Sequence, residues 1–111
     1  KQSEIWSIDV GPIKEPEKQR RIPVVIVNDD QYVSLPLKLI VSVTEWKDYY
    51  ENFPWMIKIF PDDFNGLSEI SAIDCFQICF VHKEKLIKQL GSVDIDIFNK
   101  MQETIRDVLG V

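Results

Sequence analysis

Glycine is scarce in this chain, with four in 111 residues, so it has no glycine-rich loop of the kind that cradles a phosphate. Histidine is scarcer: His82 stands alone, and with only Cys75 and Cys79 beside it the chain lacks a ligand set of metal-site spacing. There is no G-x-S-x-G nucleophile elbow. No apolar run approaches the roughly 20 residues of a membrane helix, and no basic-then-apolar leader opens the sequence. Positive charge is also short. Lys and Arg total 13 against 18 Asp and Glu, a net charge of −5. That argues against a dedicated non-specific nucleic-acid binder but leaves room for a local basic patch. Repeats, linkers and low-complexity tracts are absent.

What is present suits one compact domain. The 111 residues are 45% apolar and include three Trp, three Tyr and six Phe, enough to build a core. Cys75 and Cys79 lie four residues apart. On a regular strand they would share a face about 13 Å apart, too far for a mutual disulfide. Both are expected to be buried, reduced, structural thiols, in keeping with a reducing, cytoplasmic setting.

Periodicity divides the chain into strands and a closing helix. EIWSIDV (4–10) reads as a first strand stopped by Gly11-Pro12. Residues 12–22, with two prolines and alternating charges, read as a long exposed loop. PVVIVN (23–28) is a continuous β-branched run, the pattern of a strand buried on both faces. In LKLIVSVT (37–44), Lys38, Ile40, Ser42 and Thr44 share one face, and Leu37, Leu39, Val41 and Val43 the other. WMIKIF (55–60) and ISAIDCFQICFV (70–81) read as strands four and five. KEKLIKQL (83–90) fits a short helix ended by Gly91. Ser92 or Asp94 then caps a helix to about Leu109, on which Phe98, Met101, Ile105 and Val108 form one apolar stripe. The expected class is α+β, a small β-barrel with a C-terminal helix.

Two stretches stand out for chemistry. Between Lys14 and Arg21 lie four cations (Lys14, Lys18, Arg20, Arg21) and two acids, a local reversal of the global sign. Such a segment is either a solvated loop entering the core or a phosphate-facing loop. The connection EWKDYYENFPW carries Trp46, Tyr49, Tyr50, Phe53 and Trp55. These rings can stack unpaired bases, anchor a peptide, or complete core and dimer packing.

The order of several segments resembles the PemK/MazF family of toxin–antitoxin ribonucleases along nearly the whole chain. The carrying pieces are SEIWSIDVGP, RIPVVIVND after a charged loop, LIVSVT, FPWMIKI, ISAIDCFQI and the C-terminal KEKLIKQLGSVDIDIFNKMQETIRDVLG. The resemblance implies an SH3-like barrel of about five to seven strands with a C-terminal helix, working as a cytoplasmic homodimer. It further implies a growth-inhibiting, sequence-selective endoribonuclease for single-stranded RNA that needs no metal or other cofactor. Its partner would be an antitoxin with an acidic, disordered tail.

Carried over by position, Glu17 falls on the Glu of the family's S-E-Q, Thr44 on its strand-end threonine and Gln77 on the Gln of its D-Q pair. The departures are equally specific. Ile22 replaces the arginine before the strand's proline, with Arg21 one place earlier; Phe76 replaces the acid before Gln77; Cys79 replaces an arginine and His82 a closing acid. In one account the chemistry persists with relocated groups: Arg21 or Arg20 holds the developing charge, Thr44 positions the phosphate, and Glu17 or Asp74 moves the proton. Lys14, Lys18, Arg20, Gln77 and Trp46 would then contact RNA. In the other, the barrel is catalytically degenerate and acts by protein binding, as in the CcdB-like gyrase poisons.

Overall fold

The structure is a computed structural model that describes residues 1–12 and 19–111, with side chains described for residues 1–10 and 21–111. Among the described residues there are six strands, β1 (Glu4–Pro12), β2 (Gln19–Ile26), β3 (Leu37–Glu45), β4 (Met56–Ile59), β5 (Ser71–His82) and β6 (Leu86–Ser92), followed by helix α1 (Ile95–Leu109). They form one sheet in the order β4-β5-β3-β2-β1-β6, and every pairing in it is antiparallel. The end strands β4 and β6 are not bonded to each other, so the α+β barrel is not strictly closed. No helix among the described residues is long and apolar enough to cross a membrane.

Each face of the sheet has its own apolar layer. On one, Ile5, Val25, Val41, Val43, Ile57 and Ile73 pack with Cys75 and with Phe98 and Met101 of α1. On the other, Ile8, Val24, Ile26 and Ile40 form a smaller cluster edged by Trp6, Ile22, Val81 and Leu86. Consecutive Val24, Val25 and Ile26 are thus all buried, as their unbroken β-branched run requires in a central strand. Asp94 caps α1 by accepting a hydrogen bond from Ile97 N at 2.8 Å, and Gly110 closes it at φ 75°.

Three expectations are corrected. Residues 86–92 are a strand rather than a helix. Leu86, Ile87 and Leu90 suit either period, and the open edge of β1 decides, since it needs backbone partners. Two irregularities in the β1–β6 ladder let Leu86 reach one apolar layer and Leu90 the other. Second, Gly11-Pro12 does not stop β1, which runs through Pro12, and β2 begins at Gln19 rather than Pro23. Third, only Cys75 is buried; Cys79 is exposed. Against β3, Asp74 pairs with Ser42 but Ile78 already pairs with Val41, so residues 75–77 bulge out of the ladder. A three-residue excess inverts the alternation, placing Cys75 and Cys79 on opposite faces.

Candidate functional site

The face carrying Val24 and Ile40 turns polar toward the end of β3. Ser42, Asp74 and Met56 line up across β3, β5 and β4, and Thr44, Ala72 and Lys58 form the next row. Partners in a row point to the same side of a sheet, as do residues two apart along a strand. Two hydroxyls, a carboxylate and an ammonium therefore share one surface. Ala72 is fully buried between Thr44 and Lys58, and its small side chain keeps the row shallow.

Asp74 is 6% exposed. Its Oδ1 accepts from Phe76 N at 3.1 Å and its Oδ2 from Gln77 Nε2 at 3.0 Å. The carboxylate thus ties down the bulge that follows it and is held in a fixed orientation. The acid and Gln77 are brought together, as the family pattern pairs them, but with the acid three residues ahead. Phe76 itself is turned out, 63% exposed.

An aromatic array borders this surface. Trp46 and Tyr50 meet edge to face with centroids 5.7 Å apart. Tyr49, Tyr50 and Phe53 continue it, Phe53 stacks on Trp55 at 4.9 Å, and Trp55 touches Phe76 at 5.6 Å. The pKa of the Tyr50 phenol is raised, first by partial removal from water and then by a hydrogen bond with Tyr49 and the negative charges of Tyr49 and Asp74. The Trp46 indole Nε1 is buried without a hydrogen-bond partner. Lys58 Nζ sits 4.8 Å from the Trp46 ring centroid and 5.5 Å from that of Phe60. Burial, and then the neighbouring Asp74 charge, push the Cys75 thiol up to about 12.

Of the residues singled out from sequence, Thr44, Asp74, Gln77 and Trp46 gather here. Arg21 does not share this face. It pairs with Asp9, one residue before the Ile22–Ile8 pair, so alternation sets it with Pro23 and Val25 on the opposite side from Ile22 and Val24. Arg20 lies in β2, but its side chain is outside the described residues, as are Lys14, Glu17 and Lys18 altogether. Lys58 was not singled out. Its signal was a lysine between Ile57 and Ile59 in a strand whose two isoleucines face the core.

The family model for PemK-like, MazF-like toxins of type II toxin–antitoxin systems matches residues 1–109. Among curated proteins there is no sequence match. An endoribonuclease solved in complex with its cognate antitoxin, from a mycobacterial species, superposes with a TM-score of 0.79 at 19% identity, covering 99% of this chain and 94% of that one. The Mycobacterium tuberculosis toxin MazF-mt6 does so with a TM-score of 0.77 at 16% identity, covering 97% of each chain. A MazE–MazF structure from Deinococcus radiodurans gives 0.77 at 13% identity over 99% of this chain and 95% of that one. At such identities the likeness to solved structures is one of fold.

Proposed function

The chain belongs to the PemK-like, MazF-like toxins of type II toxin–antitoxin systems, and on that premise we propose that it inhibits growth by cutting single-stranded RNA without a metal ion. The observation that carries this reading is the placing of Thr44 and Asp74 in adjacent rows of one open face, with Gln77 bonded to the acid. A ribonucleotide supplies its own nucleophile. The 2′-oxygen forms a bond to the adjacent phosphorus, the bond from phosphorus to the 5′-oxygen breaks, and a 2′,3′-cyclic phosphate end remains. Asp74 takes the 2′-hydroxyl proton, Glu17 being the other acid available for proton transfer, and the leaving 5′-oxygen acquires a proton in turn. The Thr44 hydroxyl donates to a non-bridging oxygen as negative charge builds there.

Trp46 and its neighbouring rings supply faces on which unpaired bases stack, each worth about 1–3 kcal/mol. Gln77, Lys14, Lys18 and Arg20 extend contact along the RNA, the arginine with a reach that tolerates an imperfect backbone position. The same surface suits an antitoxin whose acidic tail folds across it, and the working unit is a homodimer.

The test is purified, antitoxin-free protein incubated with mixed single-stranded RNA in EDTA. Cleavage leaving cyclic phosphate ends is expected, with a loss of about 10²–10³ in rate for Thr44→Ala. Intact RNA in the presence of the wild-type protein would falsify the reading. Growth arrest that persists in Thr44→Ala with messenger RNA uncut would point instead to action by protein binding.

A further inference from the structure

We propose that Lys58 on edge strand β4 is the cation that holds the scissile phosphate, in place of the arginines that the family pattern carries at positions 22 and 79. The proposal rests on the nuclease reading above and adds the residue that neutralises the developing charge.

Three observations point to it. Lys58 lies in the same row as Thr44, separated by the single residue Ala72 on β5. Two strand spacings put their Cα atoms about 9–10 Å apart, on the same side of the sheet. A phosphate between them is within reach of a hydroxyl from one side and a long flexible ammonium stem from the other. Second, no carboxylate among the described residues pairs with the ammonium. Ion pairs such as Lys1–Glu4, Glu45–Lys47 and His82–Glu84 are present among the described residues, and none of these involves Lys58. It rests instead over Trp46 and Phe60 at 4.8 and 5.5 Å. A ring face attracts the cation without neutralising it, so the full charge stays available to a phosphate. Third, the alternative positions bring no cation to this face. Position 22 is an isoleucine edging the apolar layer, position 79 is a cysteine beyond the bulge, and Arg21 faces the other side.

Lys58 moves no proton in this scheme. Its ammonium hydrogen-bonds the non-bridging oxygens, most strongly when the phosphorus is bonded to five oxygens. Trp46 fixes where the cation waits and offers a face to the adjoining base.

The experiment uses the full chain, with cleavage and binding measured separately. Lys58→Ala is expected to lower the cleavage rate about 10²–10³-fold, and Lys58→Arg, which keeps the charge, to recover most of it. Binding is read with a single-stranded oligonucleotide carrying a 2′-deoxy residue at the cut site. The slope of log affinity against log salt should fall by about 0.7 in Lys58→Ala, the share of one phosphate contact on a single strand. Lys100→Ala, on the outer surface of α1, controls for general loss of charge and should leave the rate unchanged. Wild-type rate and slope in Lys58→Ala would overturn the proposal, as would loss of cleavage with an unchanged slope. If the wild type binds but never cuts, the nuclease reading falls while the salt slope still decides the phosphate contact. If it neither binds nor cuts, both fall.

Discussion

Replacing Asp74 separates its structural duty from its chemical one. The carboxylate accepts two hydrogen bonds, from Phe76 N at 3.1 Å and Gln77 Nε2 at 3.0 Å, while 6% exposed. Hydrogen bonds to a charged group contribute about 1.5–3 kcal/mol each. Gln77 is exposed and its bond counts for less, so Asp74→Ala is expected to cost about 2–4 kcal/mol and loosen the bulge. Asp74→Asn should behave differently. Its amide oxygen still accepts from Phe76 N, and Gln77 can turn its own amide to accept from the new NH₂ group. Both bonds survive as neutral ones of roughly half the strength, a loss near 1 kcal/mol, or about 4 °C in Tm for a domain of this size. Proton transfer does not survive. Loss of a general base costs about 10²–10⁴ in rate, or roughly 3–5 kcal/mol of barrier. Single-turnover cleavage of an end-labelled RNA in EDTA, set beside thermal melting, reads the two quantities independently. Asp74→Asn cutting within about threefold of wild type, with Tm lowered as expected, would refute the assignment. The carboxylate would then be a clasp for the bulge, and Glu17 the remaining base to test.

Other expectations are narrower. A Cβ on Gly91 would lie 2.1 Å from Phe64 O and one on Gly66 2.0 Å from Leu90 O, with Gly66 also at φ +70°. Alanine at either should cost about 1–3 kcal/mol by pushing the 61–67 turn off β6, read by chemical denaturation; unchanged stability would mean that the turn shifts freely. Asn65, fully buried, donates to Phe60 O and accepts from Asp62 N and Leu67 N, so Asn65→Ala should lose about 2–4 kcal/mol. Thiol labelling at pH 8 should find Cys79 fast and Cys75 protected; two fast thiols would contradict the packing. Because Cys75 keeps its proton in the fold to about 12 against 9.0 for an open thiol, its contribution to stability is full below about 9. It drains away as pH climbs toward 12, where the unfolded chain ionises first. Melting curves at pH 8 and 10.5 for wild type and Cys75→Ala should show that extra alkaline loss only in the wild type.

The parts of this fold legible in sequence are those that a single period specifies. The β-branched run of β2, the parity of Ser42 and Thr44 against Val41 and Val43, and the α1 stripe with its Asp94 cap all depend on spacing within one segment, and all are as read. β6 was illegible because Leu86, Ile87 and Leu90 satisfy two periods, and what chose between them was the unpaired edge of β1 about eighty residues away in sequence. The bulge at residues 75–77 was illegible for a related reason. DCFQIC alternates well enough to pass as a regular strand, and only the register against β3 shows three residues left over.

That bulge also explains why the site was half read. On an unbroken strand Gln77 and Cys79 would lie on the face opposite Asp74, and the two places where the family pattern has arginines hold Ile22 and Cys79. In the structure the alternation breaks just after Asp74. The side chain of Gln77 folds back onto the acid, and the inversion brings the uncharged Cys79 beside Ile40, on the face of Ser42 and Asp74. With Ile22 and Cys79 both uncharged, the cation on this face comes from the strand in register with residues 71–74, and β4 is that strand. Its four residues alternate between half-buried Met56 and Lys58 and buried Ile57 and Ile59. Only one of them can carry charge toward Thr44, and it is a lysine. The chemistry of the face is thus set by where one strand loses its register, and a sequence without its pairings does not display that point.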